Sequence, residues 1–248
     1  MASQLFNKKC IVEYDGTNFH GWQVQGDLRT VQKEIQNALE KIYKRKIKII
    51  GSGRTDTGVH AYGQTFNYKT DKYLPNTSIL MGLNSVLPKD IVILSCEDVA
   101  LNFHSQRSAL SKTYIYKILN QPLPSALLVN RVWHVREKLD VQRLKGYLGL
   151  FVGEHDFSSM CIKKSLKDNP VRKINFITIS RHNNLIDIEI NANGFMHNMV
   201  RNIVGTTIYL YRKDMPHEQI TDILNSKDRS KAGPTAPPQG LYLKEVFY

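Results

Sequence analysis

The period at which apolar residues recur changes along the chain, and the changes mark out its elements. From Lys8 to Tyr14 it is two, with Cys10, Val12 and Tyr14 on one side, which predicts a half-buried strand stopping at Asp15-Gly16. After Thr30 it lengthens. Val31, Ile35, Ala38, Leu39 and Ile42 fall on one helical face, and Thr30 stands where an N-cap belongs. A β-branched run from Ile47 to Ile50 and an alternating run from Gln64 to Lys69 predict two further strands. A helix opening at Pro75 and reaching Val86, then an apolar strand from Asp90 to Glu97, complete the first half. The order β-α-β-loop-β-α-β is that of a split βαβ, ferredoxin-like unit.

The second half gives an alternating strand from Lys112 to Leu119 and a strand beginning at Arg131. An amphipathic helix from Leu139 to Phe151 follows, with Gly153 expected to close it. Arg172 to Arg181 and Leu185 to Ala192 read as a hairpin turning at His182-Asn183-Asn184. A helix is expected from about Phe195 to Tyr211, another from Pro216 to Asn225, and a closing strand from Leu241 to Val246.

One stretch stands apart from these periods: Gly51-Ser52-Gly53-Arg54-Thr55-Asp56-Thr57-Gly58-Val59-His60-Ala61, a loop between two strands. Its glycines permit tight backbone and close approach of a ligand. Asp56 between two threonines has hydroxyl and N–H groups at hand to keep a carboxylate ionised, and Arg54 is suited to grip a phosphate. The plain reading is a polar turn with an Asx motif. Elsewhere, Trp22 lies in an aromatic, polar loop and is either a core ring or a surface on which an RNA base stacks. Tyr114 and Tyr116 share one side of their strand, which suits sheet packing. Arg201 lies among apolar helical neighbours and needs a partner, because an unpaired buried charge is costly.

Charge sharpens the picture. Lys and Arg exceed Asp and Glu by 12 in 248 residues, a balance suited to a polyanion, nucleic acid being the usual one. No apolar run approaches ~20 residues and no signal peptide opens the chain, so neither membrane attachment nor export is expected. Cys10, Cys96 and Cys161 are widely spaced and fit neither a disulfide framework nor a zinc site; they read as small apolar residues in a reducing cytoplasm. The histidines are scattered, with no metal-binding pair, and there is no Walker-type loop, so neither a metal nor a nucleotide cofactor is expected.

The segment Gly53-Arg54-Thr55-Asp56-Thr57-Gly58-Val59-His60-Ala61 resembles the active-site signature of the tRNA pseudouridine synthase A family. Tyr14-Asp15-Gly16, Gly21-Trp22-Gln23, Lys112-Thr113-Tyr114-Ile115-Tyr116, Asn198 to Gly205 and Ala236 to Leu243 resemble that family's other motifs, in the same order along nearly the whole chain. The resemblance implies an α+β fold of two ferredoxin-like halves, here 1–105 and 106–248, with a continuous mixed or antiparallel sheet and an active-site cleft between them. It implies an isomerase that turns uridine into pseudouridine without a cofactor, in the tRNA anticodon stem-loop, acting as a homodimer. Asp56 would be the nucleophile, Tyr114 would stack on the base and move a proton, and Arg201 would pair with Asp56. Arg54, Leu241 and Trp22 would contact the substrate. Two alternatives stay open: the same chemistry on ribosomal RNA, and a non-catalytic RNA-binding protein. The family's Phe-His-Ala-Arg pattern is altered here, with Gln106 in place of that Arg and Arg107 after it. In an extended segment that step would move the cation to the other face.

Overall fold

The computed structural model describes residues 4–162 and 169–248. The basic segment Lys163 to Lys167, a candidate RNA-backbone contact by its charge, lies outside the described residues. The chain forms two compact units, one of residues 1–110 with 242–248, the other of residues 111–241.

The first unit contains β1 (Phe6–Tyr14), α1 (Val31–Tyr43), β2 (Ile50–Gly51), β3 (His60–Thr70), α2 (Asn76–Val86) and β4 (Ile91–Val99). Strand β1 lies between β3 and β4 and is antiparallel to both. The short β2 pairs with Phe66 and Asn67 of β3. This is the βαββαβ order of a ferredoxin-like unit. One face of β1 (Lys8, Cys10, Val12, Tyr14) is buried, as are Ile35 and Leu39 of α1 and Ile79 and Leu83 of α2. Lys8 is tolerated on this face because its ammonium donates to the Leu74 carbonyl and Asn76 Oδ1 and pairs with Asp98 at 2.7 Å.

The second unit contains β5 (Ser111–Asn120), β6 (Trp133–Val135), α3 (Val141–Gly149), β7 (Gly153–Asp156), β8 (Val171–His182), β9 (Leu185–Ala192), α4 (Met199–Arg212) and α5 (Gln219–Ser226). Strands β5, β9, β8 and β7 run side by side, each antiparallel to its neighbour, and β6 joins the end of β5 in parallel. Ile186, Ile188 and Ile190 of β9, Leu144 and Leu148 of α3, and Ile203, Val204 and Ile208 of α4 form its core. After α5 the chain re-enters the first unit as β10 (Leu241–Phe247), where Tyr242 and Leu243 pair in parallel with His60 and Ala61 of β3. Strands β2 and β10 thus occupy different stretches of the edge of β3 that β1 leaves open, and the sheet is mixed.

Several local expectations are corrected. Thr30 takes the N-cap position of α1 with extended backbone, but its hydroxyl makes no capping bond. Helix α3 ends at Gly149, with Leu150 as its C-cap, and Gly153, at φ +111°, opens β7, a strand the sequence pattern did not reveal. That helix is capped by Asp140, whose carboxylate accepts from the N–H groups of Gln142 and Arg143. Helix α4 begins at Met199 and not near Phe195, because Asn198 before it is left-handed at φ +61°. Residues 104–108 form a turn closed by the Ser108 N–H on the His104 carbonyl, so alternation of faces does not govern Gln106 and Arg107.

Candidate active site

The Asp56 loop is held from behind by the chain between Tyr14 and Trp22. The Tyr14 phenol bonds the Thr55 hydroxyl at 2.8 Å, the Trp22 N–H donates to the Thr55 carbonyl, and the Gly58 N–H donates to the Phe19 carbonyl. The Val59 N–H closes the loop on the Asp56 carbonyl at 3.1 Å. Two glycines make this fit possible. A Cβ on Gly16 would run into the Val59 carbonyl, and one on Gly21, which sits at φ +81°, would lie 2.5 Å from the Thr55 carbonyl oxygen. His60, at the start of β3, accepts the Gly16 N–H on Nδ1 and stacks on Tyr242 of β10, which stacks in turn on Tyr62. On the strand side, the Gln64 amide donates to the Gly53 carbonyl and the Ser52 N–H to the Thr65 carbonyl. The backbone on both sides of Asp56 is therefore fixed, while Asp56 itself is half-buried and Arg54 is exposed.

Trp22 does not share that exposure. Its ring, a candidate RNA-stacking surface in the sequence, is 2% exposed and packs over Gly51 and beside Tyr14 and Phe66. It buttresses the loop from within the core.

The second unit gathers the other expected residues. Tyr114 on β5 is 8% exposed and meets Phe195 edge to face. Two positions on, Tyr116 is fully buried and its hydroxyl donates to the Pro237 carbonyl at 2.8 Å; burial pushes its phenol pKa up, against the pull of Arg201. Arg201, in the first turn of α4, donates from Nε to the neighbouring carbonyl of Ala236 at 2.7 Å and from Nη1 to Asn198 Oδ1 at 2.8 Å. The Ala236 N–H donates back to the Arg201 carbonyl. These bonds within the unit fix the plane of the guanidinium. A further arginine, Arg229, holds the 232–235 segment through the Ala232 and Gly233 carbonyls, Asn202 Oδ1 and the Thr235 hydroxyl. Leu241, 6% exposed, lies beyond the segment these residues anchor, after the turn Pro238–Gly240. Lys112, first of the Lys-Thr-Tyr motif, has its ammonium pKa pulled down to about 8 by burial. Asp56 lies in the first unit, and Tyr114, Arg201 and Leu241 lie in the second.

Arg229 has no place in the motifs read from the sequence, and Gly16, Gly21, Asn198 and Tyr116 appear there only as motif members, without the contacts described here. The contacts of Gly16 with Val59, Gly21 with Thr55 and Tyr116 with Pro237 join residues far apart in the chain, and no local period carries such a signal; those of Asn198 and Arg229 are mostly local hydrogen bonds, which the apolar pattern does not record. Among the described residues, no group of three His, Cys, Asp or Glu side chains is placed to hold a metal ion, and no helix is long and apolar enough to cross a membrane.

Residues 10–107 and 148–248 match the profile of a family described as tRNA pseudouridine synthase. The matched ranges take in Asp56 and Arg201; Tyr114 falls between them. A tRNA pseudouridine synthase A of Thermoanaerobacter sp. (strain X514) is 44% identical, over 98% of this chain and 99% of its own. Similar proteins are tRNA pseudouridine synthase A 2 of Clostridium tetani, 43% identical over 98% of both chains, and tRNA pseudouridine synthase A of Ruminiclostridium cellulolyticum, 43% identical over 96% of this chain and 97% of its own. The matches define an enzyme class, the pseudouridine synthases, which are isomerases. Within that class the chain belongs to the tRNA pseudouridine synthase A family.

Proposed function

We propose that this enzyme isomerises uridine to pseudouridine in the anticodon stem-loop of tRNA, with Asp56 as its nucleophile. The observation that carries the reading is the Asp56 loop itself: a half-buried carboxylate on backbone locked from both sides, in a chain of this family. In the proposed reaction the bond from C1′ to N1 of uracil breaks, the base turns, and C1′ joins C5. The hydrogen on C5 leaves to solvent and N1 gains a proton, so no oxidant or acceptor is consumed. Asp56 either bonds to C1′ or shields the positive charge that develops there. Reaching that carbon requires the nucleotide to be flipped from its stack, at a cost of a few kcal/mol, which phosphate contacts from Arg54 and the basic surface offset.

In this reading Arg201, held in plane by Ala236 and Asn198, is the cationic partner of Asp56. Tyr114 stacks on the uracil and Leu241 closes the base pocket. Trp22 is left out because its ring is committed to the core. A homodimer in the cytoplasm belongs to the same reading, on the strength of the family resemblance.

The test is tritium release from RNA labelled at C5 of uridine, since formation of the C5 bond expels that hydrogen. Release from tRNA, with pseudouridine mapped to the anticodon arm, is expected. Release from ribosomal RNA alone would move the target, and binding without release would leave an RNA-binding protein.

A further inference from the structure

Cys10 of β1 and Cys96 of β4 are direct partners in the antiparallel register of the two strands, and their sulfur atoms are 3.0 Å apart. Facing residues of an antiparallel pair have Cα atoms roughly 4.5–5.5 Å apart, inside the span a disulfide bridges. The sulfurs are within about 1 Å of the ~2.05 Å covalent length. Both residues are free thiols here. We infer that Cys10 and Cys96 are a reversible oxidation site, closed to an intramolecular disulfide by peroxides.

The two thiols are unequal, as stepwise oxidation requires. Cys10 is fully buried, and burial holds its thiol well above the usual range. Cys96 is half-buried at the sheet edge, and the bond from the Cys10 thiol together with the nearby Lys8 ammonium favours its thiolate, against burial and the carboxylates of Asp98 and Glu97. The Cys96 thiolate attacks the peroxide, the O–O bond breaks, and the sulfur is oxidised to a sulfenic acid as hydroxide leaves. The Cys10 sulfur then attacks the Cys96 sulfur, an S–S bond replaces the S–O bond, and the expelled hydroxide takes the Cys10 proton away as water. In sum, two thiols and one peroxide give one disulfide and two waters.

The bond would close a loop containing α1, the Asp56 loop, β3 and α2, so it clamps the unit that carries the carboxylate. No role of Asp56 is assumed, so the inference stands or falls apart from the reading above. To test it, the reduced full chain is treated with hydrogen peroxide and digested without reductant, with Cys10→Ser, Cys96→Ser and Cys161→Ser variants alongside. The expected result is a Cys10–Cys96 peptide pair, an intact mass lower by about 2 Da, and reversal by dithiothreitol. The link should persist in Cys161→Ser and vanish in the other two. Melting of the oxidised chain should rise by roughly 5–10 °C, as expected for a long closed loop. Stable sulfinic acid on Cys96, a cross-link between two chains, or thiols that stay reduced would each overturn the inference.

Discussion

Asn198 shows how a single residue prepares the proposed site. It is the last non-helical residue before α4, its backbone is left-handed at φ +61°, and its Oδ1 takes the Arg201 Nη1 donor at 2.8 Å. With the Ala236 carbonyl on Nε, that bond leaves the guanidinium a single orientation. Asn198→Ala is therefore expected to slow turnover by about tenfold, the equivalent of roughly 1.4 kcal/mol, with KM for tRNA little changed. Arg201→Met should slow it by about 100-fold or more, since Asp56 then loses its proposed partner. Adding Asn198→Ala to Arg201→Met should cost nothing further, because Asn198 acts through the arginine; additive losses would make its role merely structural. At this scale Asp56, Tyr114 and Arg201 are marked out as candidates by short motifs that resemble those of the family, while composition and period alone make them a polar turn, a sheet residue and a helix residue in need of a partner. Trp22 was harder to place. An aromatic ring between glycine and glutamine looks the same in sequence whether it faces solvent or, as here, lies against Gly51 and Phe66.

At the scale of elements, the loop bearing Asp56 depends on the segment that leads from β1 into α1. Gly21 is the closest point, left-handed and without room for a Cβ against the Thr55 carbonyl. Gly21→Ala should push the Thr55–Asp56 peptide aside as well as strain its own backbone by about 1–2 kcal/mol. The expected outcome is a fall in melting temperature of a few degrees and a much larger fall in turnover, checked by calorimetry and by tritium release on the same preparation. A loss of stability with full activity would show that the loop tolerates displacement. Elements with a strong period, such as β1, α1 and β5, were legible in the sequence, and Pro75 marked the start of α2. Those set by single backbone conformations were not. The delayed start of α4 rests on the left-handed Asn198, and β7 is too short at Gly153–Asp156 for alternation to show. The capping carboxylate of Asp140 and the turn at residues 104–108 are likewise local hydrogen-bond features that the apolar pattern does not record.

For the molecule as a whole, the surplus of 12 positive charges bears on RNA affinity. Each phosphate neutralised contributes a slope of about −0.9 in log K against log salt, so three or four contacts would weaken binding roughly 40- to 150-fold between 50 and 200 mM salt. Filter binding across that range checks it, and affinity indifferent to salt would mean that the charge excess serves something else. The βαββαβ order made the first unit legible, whereas the return of the chain end as β10 beside β3 is a pairing between residues about 180 positions apart that no periodicity announces. The account turns on whether chemistry depends on the carboxylate at position 56 while RNA binding does not. The direct measurement is tritium release by Asp56→Ala, with its affinity for the same tRNA measured in parallel. The account predicts no release above background and an affinity within a few-fold of the unaltered enzyme; normal release by that variant would contradict it.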